Sequence, residues 1–376
     1  MADDHIASQA KGDISCHVAR VVAPIELSSA ERAVWDAICG NDPALTSAFY
    51  SFAYTNAVAK IRPHVYVAVL ECKARPVGFL PYQYGTRWQR WLKAAEPVGG
   101  DMTDYFGVVS GSQLRLDVQW LLREAGLSSV LFTHLDEAQL HRGLTGEQPE
   151  PGLRIRFPSG GEAYWEALRK ADKRFVSDTE RQERRLAAQV GPLHFQYQVD
   201  EPTATLHHLI EQKRQQYSST GVEDVLSAQW KRDLLLELSS FRDPLCTGVM
   251  SILRAGDTWV ASHFGLQCKD NLHYWFPVYN PALRAYAPGR LLLKKMIDAS
   301  RESGTNTIDR GAGDTSAKRD FANAEHVYYR GLWARPTLRS LCFRMTCGMR
   351  WRIAVSRAGR SDKDSAASGM RKPGAA

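Results

Sequence analysis

Two patterns of apolar positions alternate along the chain. Period-two runs predict strands at Val65 to Leu70, Pro76 to Tyr84, Val130 to Leu135, Gly248 to Arg254, Trp259 to Gln267, an aromatic run starting at Leu272, and Thr305 to Asp309. Helical spacing predicts helices after the capping pattern Ser28-Ser-Ala-Glu31, over Leu45 to Ile61, Leu116 to Ala125, Tyr164 to Gln189, Thr203 to Gln216, Ser227 to Leu238 and Arg290 to Ser303, then a short one over Ser316 to Asn323. The strands at 65 and 76 form one hairpin and those at 248 and 259 another. Leu70 precedes Val77-Gly78 by the same seven residues that separate Leu253 from Val260-Ala261, and a helix pair precedes each hairpin. This repetition predicts two related α/β halves. The stretch rich in Gly, Pro and Glu between His141 and Gly161 is the expected boundary: residues 1–22 as a loose tail, 23–150 and 151–335 as domains, and 336–376 as a basic amphipathic helix and tail.

One stretch concentrates the candidate chemistry. The aromatic strand is broken by Asn280-Pro281, and Pro288-Gly289 stands directly before the helical run that leads into Thr305 to Asp309. A strand, a loop and a bare helix N-terminus direct N–H groups and a positive dipole end at one place, which suits an anion such as a pyrophosphate.

Charge sharpens this reading. The net charge is +7, but ten Lys/Arg from Arg335 onward oppose only Asp362 and Asp364, so the remainder is close to neutral. A DNA-binding footprint over the whole chain is excluded, and a basic C-terminal segment is expected to make peripheral contact with a membrane or a membrane synthase. The seven cysteines are scattered and lack a CxxC pair, and no histidines have ligand spacing, so reduced thiols and no metal are expected. No membrane-length apolar run or leader is read, which predicts a cytoplasmic protein. A P-loop reading of Gly311 to Lys318 fails because Ala317 and Arg319 flank the lysine.

Six segments in order resemble the N-acetyltransferase (GNAT) superfamily, and within it the cellulose and exopolysaccharide type, which is similar to tandem Fem-like transferases. They are Arg75 to Pro81, Pro97 to Tyr105, Lys173 to Leu186, His273 to Asn280, Ala287 to Leu293, and Ile308 to Asp314 with Lys318. The resemblance implies an α/β (α+β) protein of two tandem GNAT-like domains, each a mixed, mainly antiparallel sheet flanked by helices. It implies an acetyl-CoA or other acyl-CoA co-substrate bound by Arg284, Ala287, Pro288, Gly289, Arg290 and Leu291, and transfer to a small-molecule or saccharide acceptor in envelope polysaccharide synthesis. Candidate catalytic groups are Asp309 and Asp314, either of which could act as base if burial raises its pKa, together with His263, Tyr274, Tyr279 and Lys318. Core packing is the competing role for His263, and helix capping for Asp314. The family's usual Tyr-Lys pair is Ala317-Lys318 here. A non-catalytic accessory role beside a synthase and an aminoacyl-tRNA-dependent reaction remain as alternatives.

Overall fold

The structure is a computed structural model, and it describes residues 16–346. In the first half, strands β1 (Cys16–Val22), β2 (Val65–Cys72), β3 (Arg75–Gln83) and β5 (Val109–Ser110) form a four-stranded sheet in that order. Helices α1 (Ser29–Asn41), α2 (Phe52–Ile61), α3 (Arg87–Leu92) and α4 (Val118–Glu124) accompany it. The capping box at Ser28 forms as expected, with the Ser28 and Glu31 side chains each satisfying the other's backbone N–H. The expected helix from Leu45 is confined to α2, which begins where Ser51 caps it by accepting from the Tyr54 N–H at 3.0 Å, while residues 43–45 and 48–50 form short 3-10 segments.

The other strands build one ten-stranded sheet. They are β4 (Ala94–Ala95), β6 (Ser129–Asp136), β7 (Gln148–Arg156), β8 (Leu193–Gln196), β9 (Arg242–Asp243), β10 (Cys246–Ala255), β11 (Thr258–Cys268), β12 (Asn271–Tyr279), β13 (Thr307–Ala312) and β14 (Ala324–Ala334). Both expected hairpins are present as β2–β3 and β10–β11. The sheet runs across both halves: β14, the last strand, lies between β6 and β7, and β7 in turn pairs with β13. Residue 150, where the halves were expected to part, lies inside β7. The Gly/Pro/Glu-rich composition there marks an interior strand that carries Pro149, Pro151 and Gly152, rather than a linker.

Helices α5 (Gly161–Ala171), α6 (Lys173–Gln189), α7 (Pro202–Thr220), α8 (Gln229–Ser239), α9 (Pro288–Asp298), α10 (Ser300–Ser303) and α11 (Ser316–Arg319) complete the second half. The single helix expected over Tyr164 to Gln189 is two, because Asp172 leaves the helical conformation and caps α6 by accepting from the Phe175 N–H at 2.9 Å. One core runs through both halves, bringing Trp35, Tyr50 and Tyr54 together with Leu234, Met250 and Phe264. A second lies under α9, where Leu291, Leu292, Met296 and Ile297 pack on Val260, Tyr274 and Ile308. Each of these side chains contributes about 1.5–3 kcal/mol by leaving water. Cys72 is disulfide-bonded, contrary to the expectation of reduced thiols; β1–β2 pairing sets it opposite Cys16 in register, a proximity that sequence spacing does not reveal. Cys39, Cys246 and Cys268 are free and buried.

Candidate active site

β12 and β13 run parallel and pair at Asn271–Thr307, Leu272–Ile308 and His273–Asp309, beyond which no pairing between them is formed. A cavity of about 350 Å³ lies on one side of this divergence, with Tyr274, Tyr279, Gly289, Arg290, Arg310 and Ala317 in its wall. Its mouth is the N-terminus of α9. There Ala287 adopts a left-handed φ of 52° and has no side chain that can cap the helix. The N–H groups of Arg290 and Leu291 both turn back to the Ala287 carbonyl, at 2.9 and 3.1 Å. Pro288 has no N–H, so the Gly289 amide is the donor of this turn left without a carbonyl in its own helix. A Cβ on Gly289 would meet nothing nearer than Tyr279 Cδ1 at 4.0 Å, so the space beside its Cα is open.

The first half offers the contrasting case. At α4 the Asp117 carboxylate accepts from the Trp120 N–H at 2.6 Å, so that helix end carries its own anion. Only the α9 end of this pair is left to an external anion. Of the two arginines expected there, Arg290 is held by Asp178 at 3.0 Å and rests over the Phe175 ring, while Arg284 is exposed on the rim. The Leu291 side chain belongs to the core. A more open hollow of about 600 Å³ shares Arg290 and Asp320, but its Arg181 is already paired with Asp178, and neither the strand divergence nor the Gly289 amide contributes to it.

Two cations that carried no separate signal in the sequence line the cavity. Lys213 on α7 donates to the Pro277 carbonyl at 3.0 Å, and loss of water around it lowers its pKa to about 8. Arg310 lies over the Tyr274 ring, and its buried Nη1 has no hydrogen-bond partner among the described residues. Burial draws its pKa down. A buried donor of this kind costs free energy until an acceptor arrives.

A polar cluster occupies the opposite face of the same strands, turned toward the first half. Asp309 is fully buried and accepts hydrogen bonds from the Tyr105 hydroxyl and, at 2.7 Å, from the Gly311 N–H. Arg154 on β7 donates to the Tyr105 oxygen at 2.8 Å and to Asp309 at 3.4 Å. His273 lies between two carboxylates, with Nε2 2.7 Å from Asp104 and Nδ1 3.9 Å from Asp309. Burial alone would raise the pKa of Asp309, but the charges of His273, Arg154 and His326 and the Tyr105 hydrogen bond hold it well below the usual carboxylate range. The condition under which Asp309 was to act as base is therefore not met. Burial opposes a charge on His273 as well, yet Asp104 and Asp309 raise its pKa, and His273 lowers that of Asp104. The Asp104 side chain keeps 23% of its exposure where Asp309 keeps none, so Asp104 is the carboxylate a solute can touch.

The remaining candidates separate clearly. Tyr274 and Tyr279 stand in the cavity wall. Lys318, next to the wall residue Ala317, is half-buried; its ammonium donates to the Ala312 carbonyl at 2.6 Å, and burial followed by the Arg310 charge lowers its pKa. Asp314 is exposed and pairs with Arg319; the N-cap of α11 is Thr315, so capping is not its role. His263 is fully buried and stacks on Tyr274 with ring centroids 4.3 Å apart, and burial lowers its pKa to about 3, which makes it a neutral core histidine. Sequence reasoning singled out neither Asp104 nor Arg154 as a site residue, since each reaches Asp309 and His273 across a long separation in sequence. Among the described residues no group of His, Cys, Asp and Glu is arranged to hold a metal ion, and no helix is long and apolar enough to cross a membrane.

Residues 173–319 match the family model described as an acetyltransferase (GNAT) domain. This region is similar to a GNAT domain in sequence. It contains the diverging strands, α9 and the cavity, so the match and the geometry fall on the same segment. Among solved structures the chain is similar to FemX, with 10% identity over 83% of this chain and 96% of that one and a TM-score of 0.53. The C-terminal domain of a putative lysylphosphatidylglycerol synthetase from Agrobacterium fabrum aligns with 10% identity over 83% and 94% at a TM-score of 0.49. A tandem GNAT protein from the clavulanic acid biosynthesis pathway aligns with 10% identity over 86% and 99% at 0.44. The FemX likeness bears on the fold and not on the reaction. No curated protein matches the chain.

Proposed function

We propose that the protein is an acyl-CoA-dependent acyltransferase whose donor occupies the cavity at α9 and whose acceptor approaches the polar cluster on the other face of β12 and β13. The observation that carries this reading is the uncapped α9 N-terminus with the open space beside Gly289, next to a cavity that runs to the point where the strands part. A pyrophosphate suits that amide, with Arg284 and Lys213 near it; an extended thioester arm suits the wall from Tyr279 to Tyr274.

Acyl transfer requires a nucleophile relieved of its proton and a donor for the oxygen on which charge develops. The unpartnered Nη1 of Arg310 answers the second requirement from the cavity side. The exposed edge of Asp104, oriented by His273, positions an incoming hydroxyl or amine by accepting a hydrogen bond from it; its own lowered pKa makes it a positioning group rather than a strong base, so the proton passes on to water. The acceptor oxygen or nitrogen bonds to the acyl carbon and releases its proton to water, the carbon–sulfur bond breaks, and the thiolate leaves and is protonated from water, so that one proton is lost and one gained. Placement of the acceptor in envelope polysaccharide synthesis rests on the sequence resemblance alone.

The test is calorimetric titration of the full chain with acetyl-CoA, followed by comparison of surface polysaccharide from wild-type and deletion strains by mass spectrometry. Saturable binding and one lost acyl group are expected. Absence of heat with acetyl-CoA and longer acyl-CoAs alike overturns the donor assignment. Binding without a change in polysaccharide overturns the acceptor assignment and leaves the donor site standing.

A further inference from the structure

The two helices farthest from the cavity in function meet on a surface that the acyltransferase reading does not use. α3 buries Leu92, and a helix over residues 338–346 buries Phe343; the two side chains pack together with Ala94 between the helices. Their outer sides are unusually apolar for exposed helices. Trp88 and Trp91 stack on each other with centroids 5.0 Å apart while remaining 49% and 63% exposed. Beside the same seam Leu338, Leu341 and Met345, spaced along one helical face, are 82%, 53% and 56% exposed.

The charges carried by the two segments themselves have a single sign, and the nearby Glu96 carboxylate is taken up by Gln83 and Gln89. Arg87, Arg90 and Lys93 belong to the α3 segment, and Arg335, Arg339 and Arg344 to the other; no acidic residue occurs in 86–95 or in 335–346. Such a patch repels a second copy of itself. A second copy is therefore not a suitable cover, whereas an anionic partner is. Stacked indoles and aliphatic side chains between arginines match the boundary of an anionic bilayer, where rings settle at headgroup depth, aliphatic tips enter the acyl region and guanidinium groups meet phosphates.

We infer that the surface formed by α3 and the 338–346 helix docks the protein on an anionic lipid membrane, with the Trp88–Trp91 pair as its apolar anchor. The docking is peripheral, made by folded elements rather than by the basic tail, and it is independent of whether the cavity binds acyl-CoA.

The test is cosedimentation of the full chain with vesicles of equal parts phosphatidylglycerol and phosphatidylcholine, and with phosphatidylcholine vesicles alone. Binding to the anionic vesicles and not to the neutral ones is expected. Partitioning should fall at least about tenfold in the Trp88→Ser/Trp91→Ser double variant, since two buried indoles contribute well over the 1.4 kcal/mol that a factor of ten represents. Both rings are exposed, so unchanged circular dichroism is expected to accompany the loss. Three results overturn the inference: no binding to anionic vesicles; binding that the double variant retains, including binding lost only when residues 347–376 are removed; or a concentration-dependent dimer in sedimentation velocity that the double variant abolishes.

Discussion

His273 and Asp309 form the last pair across β12 and β13, and one step further along each strand Tyr274 and Arg310 stand in the wall of the cavity on the other side. The strand alternation therefore assigns one residue of each neighbouring pair to the cluster and the other to the donor side. The point of divergence is where the two sides come within reach of each other.

Gly289 separates binding from stability. An acidic residue in the first turn of a helix favours the helix by about 0.3–1 kcal/mol, while its charge competes with a bound anion for the same dipole. Gly289→Glu should leave the unfolding midpoint equal or higher and weaken acetyl-CoA binding by about a hundredfold or more, read by differential scanning and titration calorimetry. A parallel loss of stability and affinity would count against the Gly289 amide as the anion site.

Lys213 gives the donor site a pH signature. With its pKa lowered to about 8 by burial, it is cationic below that value and neutral above it. Affinity for acetyl-CoA should decline as pH rises through about 8, and Lys213→Met should bind more weakly with that decline absent.

Asp309 is expected to matter more to the fold than to the chemistry. Asp309→Asn leaves Arg154 and His273 without their buried counter-charge, a change of about 3–5 kcal/mol in urea unfolding. Tyr105→Phe removes one hydroxyl and should cost about 1–3 kcal/mol. The double variant should fall short of the sum, because the two side chains share one hydrogen bond.

The Asp104–His273 pair has a defined pH window. The raised pKa of His273 makes its contribution fully present below the ordinary histidine value of 6.5 and lost as pH rises through the raised value. The lowered pKa of Asp104 makes its contribution present above the ordinary aspartate value of 3.8 and lost as pH falls through the lowered value. The stability gap between wild type and His273→Gln should be widest between those two ordinary values and narrow in alkali, as denaturant titrations across pH would show.

Part of the cavity wall was legible because it is contiguous, although Lys213 and Arg310 in the same wall were not singled out. Pro288-Gly289 before an apolar helical stripe, and Tyr274 and Tyr279 on one strand, lie within a short span whose local spacing fixes their placement. The cluster was not legible in the same way, since Arg154 meets Asp309 through the pairing of β7 with β13, and Asp104 and Tyr105 reach the cluster from the loop before β5, about two hundred residues away in sequence. His263 shows the limit from the other direction: its residue type suggested proton transfer, and its surroundings make it inert. The capping box at Ser28 was read correctly because three residues suffice to form it. Residue 150 misled because Pro and Gly in β7 have the composition of a loop, while the strand is held by neighbours on both sides that lie far away in sequence.

The position of β14 also orders events during synthesis. β6 is complete early, yet the strand that covers its edge is Ala324–Ala334, near the end of the described chain. At about 5–20 residues per second, β6 waits on the ribosome for about ten to forty seconds with an unpaired strand edge. The ten-stranded sheet to which β6 belongs is completed only after nearly all of the second half has emerged, so holdase chaperones have a long interval in which to act, and truncation before residue 324 should produce aggregates rather than a shorter folded protein.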